Sequence, residues 1–256
     1  MKAAAILLLP LLITGGLIYN YLNNTGKVVP DQQVSSIIYA PMGSRVSFNL
    51  PDGSTGMLNS GSKLTYSLPF NSNRQVKLEG EAWFDVTHNE EYPFEISAGN
   101  SSVNVLGTSF NMSAYPEENY IEVVLQKGKV EFFDNCIDER VTMLPSERLV
   151  SQDGNIRKYI TDPGKYNVWT EGKLVFREDP MPEVARRIER WYNVKIELAD
   201  KELEKYSFRG TFEDDKLEEV LRLLSMTSPI RYTISPRKLL ADGTFDKEKV
   251  TIYMKK

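Results

Sequence analysis

The sequence predicts a mainly β protein with a smaller α+β part, preceded by a membrane helix. Three observations carry that prediction. From about residue 41 to residue 160, apolar residues alternate with polar ones, the period of half-buried strands. Beyond Asp162-Pro163-Gly164 the apolar spacing changes to the helical i, i+3, i+4, i+7 pattern in two windows. Ahead of both lies an apolar run, Ala3 to Leu22, with no charge between Lys2 and Lys27. The expected architecture is an N-terminal membrane helix, an all-β sandwich or solenoid-like domain, and a small βαββαβ-type domain. A chain of 256 residues accommodates this, because one or two domains are the norm at that length.

The apolar run is taken first. Twenty helical residues span about 30 Å, the thickness of a bilayer's hydrocarbon layer. Tyr19 and Tyr21 fall where an aromatic belt would lie. A cleaved signal peptide is the competing reading, with Lys2 ahead of an apolar stretch from Ala3 to Ile13. No A-x-A site follows, and the run continues past Gly15-Gly16, so residues 1–24 are read as an uncleaved transmembrane anchor. Pro10 is tolerable inside a membrane helix. Residues 25–38 read as a polar stalk, and the rest of the chain is expected in the periplasm.

The all-β domain is expected over residues 39–162. Val103 and Val105 alternate with polar neighbours, as do Phe110, Met112 and Ala114, then Ile121, Val123 and Leu125, then Val130 and Phe132. Turn signals separate such segments: Pro51-Asp52-Gly53, Asn59-Ser60-Gly61, Ala98-Gly99-Asn100, Lys127-Gly128 and Asp153-Gly154. About ten to thirteen short strands result.

The α+β domain is expected over residues 166–256. Lys173–Arg177 reads as a strand, and Asp179 as the N-cap of a helix running to about Tyr192 with Val184 and Ile188 on its apolar face. Val194–Leu198 and Tyr206–Phe212 are strands. Asp214 or Asp215 caps a second helix bearing Leu217, Val220, Leu221 and Leu224. Ile230–Ser235 and Lys249–Met254 complete the order β-α-β-β-α-β-β.

Composition removes several kinds of chemistry. Net charge is −4, without the basic surplus of a general nucleic-acid binder. One Cys and one His cannot form an internal disulfide or a Cys/His zinc site. G-x-S-x-G and both phosphate-loop fingerprints are missing. No cofactor, metal or catalytic group is expected. Glu79 and Glu81, about 7 Å apart along one strand face, match an inverting glycosidase pair in spacing, but a solvated polar face explains them as well. His88 reads as a turn histidine and Cys136 as an ordinary loop thiol. Arg186, Arg187 and Arg190 lie on the helix face away from Ile188, either as a solvated face or as a docking patch for an acidic partner.

Specific stretches then point to a family. Tyr39-Ala-Pro-Met-Gly-Ser-Arg-Val-Ser-Phe-Asn-Leu-Pro-Asp-Gly-Ser, running on to Tyr66, resembles the start of a FecR-type domain. So do Val76-Lys-Leu-Glu-Gly-Glu-Ala-Trp-Phe-Asp-Val86, Pro93-Phe94, Val105-Leu-Gly-Thr-Ser-Phe-Asn111, Glu122–Leu125 and Gly128-Lys-Val130. The C-terminal part is similar in element order to the short N-terminal domain of secretins and TonB receptors, which follows FecR domains in Bacteroidetes-type chains. Leu144-Pro-Ser-Glu147 departs from the family's usual Leu-x-Pro-Gly-Glu turn.

The resemblance implies a non-enzymatic anti-sigma regulator of cell-surface signalling. It implies a partner in the signalling domain of an outer-membrane TonB-dependent receptor, and an ECF sigma factor held through a cytoplasmic segment that is missing ahead of the apolar run here. The receptor contact is expected in residues 166–256 as strand addition on a sheet edge. The expected strand is the last one, with Val250, Thr251, Ile252, Tyr253 and Met254, and the arginine trio is a secondary candidate. The alternatives are a membrane-anchored carbohydrate-binding module and a hydrolase using Glu79 and Glu81.

Overall fold

Alternating apolar and polar residues build thirteen strands between Val34 and Ile160 in the computed structural model. The structure describes residues 13–21, 34–241 and 243–255. In order the strands are β1 (Val34–Tyr39), β2 (Val46–Asn49), β3 (Thr55–Leu58), β4 (Lys63–Leu68), β5 (Gln75–Asp85), β6 (Phe94–Ala98) and β7 (Ser101–Val105). They continue with β8 (Ser109–Ala114), β9 (Tyr120–Lys127), β10 (Val130–Asp134), β11 (Glu139–Met143), β12 (Glu147–Gln152) and β13 (Asn155–Ile160).

All thirteen join one curled sheet, and β5 is its seam. The first half of β5 pairs antiparallel with β4 and parallel with β6, and its second half pairs antiparallel with β3 and β8. One layer therefore runs β1-β4-β5-β6-β7-β10-β11, and the other β2-β3-β5-β8-β9-β12-β13. The inward residues of both layers close a single core. Phe84 is central to it, with ring centroids at 5.6 Å from Phe48, 6.2 Å from Phe94 and 5.4 Å from Phe110. Aromatic pairs at such spacings add to the burial of their apolar area.

The expected stalk over 25–38 needs correction at its end. Residues 34–38 belong to β1, which pairs with β4 while Ile38 packs against the core. Val34 and Ile37 are exposed and Ile38 alone of residues 34–38 packs inward, so pairing with β4 decides the assignment. Residues 22–33 and most of the expected Ala3–Leu22 span lie outside the described residues. Residues 13–21 are helical and exposed, and among the described residues no helix is long and apolar enough to cross a membrane.

After β13 come a helical turn at Gly164–Asn167 and a 3-10 turn at Val168–Glu171. Then follow β14 (Lys173–Pro180), α1 (Met181–Tyr192), β15 (Lys195–Leu198), a 3-10 turn at Lys201–Lys205, β16 (Ser207–Glu213), α2 (Leu217–Thr227), β17 (Ile230–Ser235) and β18 (Lys249–Met254). Strands and helices occur in the order read from the sequence. Met181, Val184, Ala185 and Ile188 of α1 and Leu217, Val220, Leu221 and Leu224 of α2 bury the expected faces. A second core gathers most of these with Phe176, Phe208 and Phe212. Residues Ser35–Lys256 nonetheless form one compact unit.

Both expected caps are wrong. Pro180 precedes α1 without a side-chain cap bond. A bulge between Arg177 and Asp179, with Glu178 at φ 61°, turns Asp179 inward, where its Oδ2 accepts the Arg177 N–H at 3.0 Å. For α2 the N-cap is Lys216, and the Asp215 carboxylate instead accepts the Glu213 N–H at 3.1 Å.

The last strand is not an edge. β18 runs between β15, to which it is parallel, and β17, to which it is antiparallel. Val250, Thr251 and Ile252 are paired on both sides, which leaves the expected strand addition no open ladder there. Tyr253 and Met254 pair only with β17, and the Met254 N–H donates to Asp200 Oδ2 at 2.8 Å. Val250 and Ile252 are buried in the second core, which is what a central strand's alternation serves.

Candidate functional site

Period 2 alone would leave the outward residues of β8 and β9 in water. Asn111, Ser113 and Val124 are buried nevertheless. The connector after Pro163 and helix α1 lie over them, and the gap is a cavity of about 360 Å³. Side chains of β5, β9 and β12 line one wall and those of α1 the other.

A chain of hydrogen bonds crosses the covered face. Trp169 Nε1 donates to Asn111 Oδ1 at 3.1 Å, and Asn111 Nδ2 donates to Glu81 Oε1 at 2.9 Å. Asn59 Nδ2 donates to Glu81 Oε2 at 2.8 Å. Both carboxylate oxygens of Glu81 are thus occupied by amides. Glu79 is engaged separately, at 2.5 Å from Lys63 Nζ and 2.9 Å from Lys77 Nζ. Hydrogen bonds from those two lysines hold its carboxyl below the usual range. The two carboxylates that matched a glycosidase spacing belong to separate networks. Glu81 is no solvated surface group, which its place on an alternating strand could not reveal.

The arginine trio is engaged within the chain, so the reading of all three as a solvated face is corrected for Arg187 and Arg190. Arg190 pairs with Glu118 and lies over the Tyr115 ring at 3.8 Å. Arg186 lies over Tyr120 at 5.3 Å, with its Nε 3.9 Å from Glu118, and also pairs with Glu183. Arg187 faces Asp179 at 3.5 Å and the Phe176 ring at 4.8 Å. The Arg186 side chain keeps 40% exposure, while Arg187 and Arg190 are largely covered because α1 packs on two faces. Its apolar face rests on its own sheet and its basic face on the β8–β9 layer.

Glu122 pairs with Arg148 across β9 and β12. Its side chain keeps 12% exposure. Burial pushes its carboxyl up to about 7 against the pull of Arg148, and the nearby Glu183 and Glu81 charges add to the rise. A proton held more tightly in the folded chain than in the unfolded one stabilises fully below the ordinary value of 4.5. That contribution is lost as pH climbs to about 7. The denaturation midpoint of the wild type relative to Glu122→Gln should therefore fall across this window. A difference that rises or stays flat would show Glu122 ionised throughout.

His88 is exposed in the loop after β5, facing Glu90 at 3.5 Å, and Cys136 is exposed in the β10–β11 turn. Among the described residues no group of His, Cys, Asp and Glu is placed to hold a metal. The residues that sequence reasoning missed are Tyr115, Glu118, Asn111 and Trp169. Only Trp169 carried a signal, since a tryptophan in a connector is costly to leave in water.

This two-part arrangement has known counterparts. Residues 36–131 match the family model described as FecR protein, and residues 173–240 match that described as FecR, C-terminal. Two crystal structures of a candidate anti-sigma factor from Parabacteroides distasonis are similar to the chain at 30% identity. The first has a TM-score of 0.74 and spans 86% of this chain and all of the other. The second has a TM-score of 0.73 and spans 87% of this chain and all of the other. The chain belongs to the FecR family. No match is found among the curated proteins. In this FecR-family chain the match to the FecR model includes Tyr115 and Glu118, and the match to the C-terminal model includes Arg186 and Arg190. The covered face is therefore where the two matched regions meet.

Proposed function

We propose that this FecR-family chain is a non-enzymatic signalling regulator of the anti-sigma type. The carrying observation is the likeness to the candidate anti-sigma factor of P. distasonis, at 30% identity through both matched regions. In this reading Ala3–Leu22 spans the inner membrane once, and the residues after about 24 lie in the periplasm. The chain relays occupancy of an outer-membrane TonB-dependent receptor to an ECF sigma factor. The receptor's signalling domain docks on the C-terminal region. With β18 closed on both sides, the edges on offer in its sheet are those of β15 and β17, each of which pairs only with β18.

Tagged full-length chain, purified from membranes of its own source under mild detergent, tests the reading by mass spectrometry of what accompanies it. A sigma factor and a TonB-dependent receptor are the expected companions. Recovery of neither, together with binding on a glycan array, would replace the relay by the membrane-anchored carbohydrate-binding module.

A further inference from the structure

The join between α1 and the β8–β9 layer is built unlike the rest of the molecule. Each side has its own closed apolar core, and neither core crosses the join. What crosses it is ionic or cation–aromatic. Arg190 pairs with Glu118 and stacks on Tyr115, Arg186 approaches Glu118, and Arg45 of the β1–β2 loop stacks on Trp191 at 4.1 Å. Four buried side-chain polar atoms have no hydrogen-bond partner among the described residues, and three of them are here: Glu118 Oε2, Arg186 Nε and Asn193 Oδ1. Asn193 belongs to the join because a Cβ on Gly43 would meet its Cβ at 3.3 Å.

We propose that this join is an ionic latch with a closed and an open state. Buried charges with unmet hydrogen bonds gain water on separation, and salt stabilises the solvated charges of the open state more than the buried pair of the closed one. Opening leaves both cores intact, so it need not unfold either side. Gly172 supplies a pivot: it joins the connector to β14 in the left-handed region at φ +84°, and nothing lies within 4 Å of where a Cβ would be. The Lys165–Asp179 and Arg177–Asp162 contacts that bridge the pivot are ionic too. Opening would uncover Tyr115, Glu118 and Tyr120, while Trp169, ahead of the pivot, stays on Asn111. A partner on the C-terminal region that binds one state better would shift the balance between them. The latch holds or fails whatever that partner is.

The chain carries one thiol, Cys136, exposed on the β side. Spin labels there and at Lys201→Cys, exposed on the other side, report the separation by pulsed electron resonance on the full chain in detergent. The expected result is one main distance at about 50 mM salt and a growing longer distance at about 1 M. Arg190→Ala should raise the longer-distance population roughly fivefold or more at low salt. Combining Arg190→Glu with Glu118→Arg should return part of the shorter distance lost in either single change. Should Arg190→Ala lose its fold by circular dichroism, Glu118→Gln and the wild-type salt titration decide instead. One unchanged distance in the wild type and in Glu118→Gln, at every salt concentration, would overturn the latch.

Discussion

Replacing Arg74 by alanine should cost about 3–5 kcal/mol, the scale for removing one partner of a buried ion pair. The guanidinium is 1% exposed and its partner Asp52 6%. Nε donates to Asp52 Oδ2 at 2.7 Å, one terminal nitrogen to the Tyr92 carbonyl at 2.9 Å, and the other to the Thr87 carbonyl at 2.6 Å. One side chain thus ties the β2–β3 turn to the loop between β5 and β6. Alanine would leave a buried carboxylate without a counter-charge and two carbonyls without donors. Lysine would not rescue it, because an ammonium on a flexible stem cannot reproduce the planar fork. Urea denaturation should show a midpoint lower by about 1–2 M. A loss below about 1 kcal/mol would mean that water replaces the guanidinium at this site.

Gly80→Ala should be nearly as severe, at about 3 kcal/mol, because two penalties coincide. Gly80 stands at φ +111°, in the region that L side chains avoid. A Cβ there would come within 2.4 Å of Ser62 Oγ and 2.7 Å of Ser62 Cα. Ser62 cannot retreat, since it is fully buried and its Oγ accepts the Glu81 N–H at 2.8 Å. This is where β5 leaves one layer for the other, so a shift would disturb both. Gly172→Ala is the control: it shares the left-handed backbone but meets no neighbour, and it should cost only about 1 kcal/mol. Equal losses at the two glycines would show that backbone strain alone, and not the contact with Ser62, governs position 80.

Much of the fold was legible in local pattern. The alternation through Phe110, Met112 and Ala114, and through Val123 and Leu125, reports which side of a strand meets the core, and those residues are buried or nearly so. The spacing of Val184 and Ile188, and of Val220, Leu221 and Leu224, reports the buried face of each helix. The site was less legible. Asn111 and Ser113 look like surface residues in any window of sequence, and they are buried only because Trp169 and α1 lie over them. Asp179 looks like a helix cap, and the bulge at Glu178 makes it a buried partner for Lys165 and Arg187.

The sequence by itself determined the order of strands and helices in the C-terminal region, the many-stranded β character before it, and its resemblance to the FecR family. Those properties rest on residues close along the chain, where a two- or 3.6-residue period records which side of an element avoids water. Only the tertiary structure decided that β18 is a central strand and that the basic face of α1 is clamped onto the β8–β9 layer. Both depend on which distant segment lies alongside. A strand suited to the middle of a sheet and one suited to its edge can share the same alternation. Likewise an arginine that meets water and one that meets Glu118, 72 residues away in the chain, read alike in sequence.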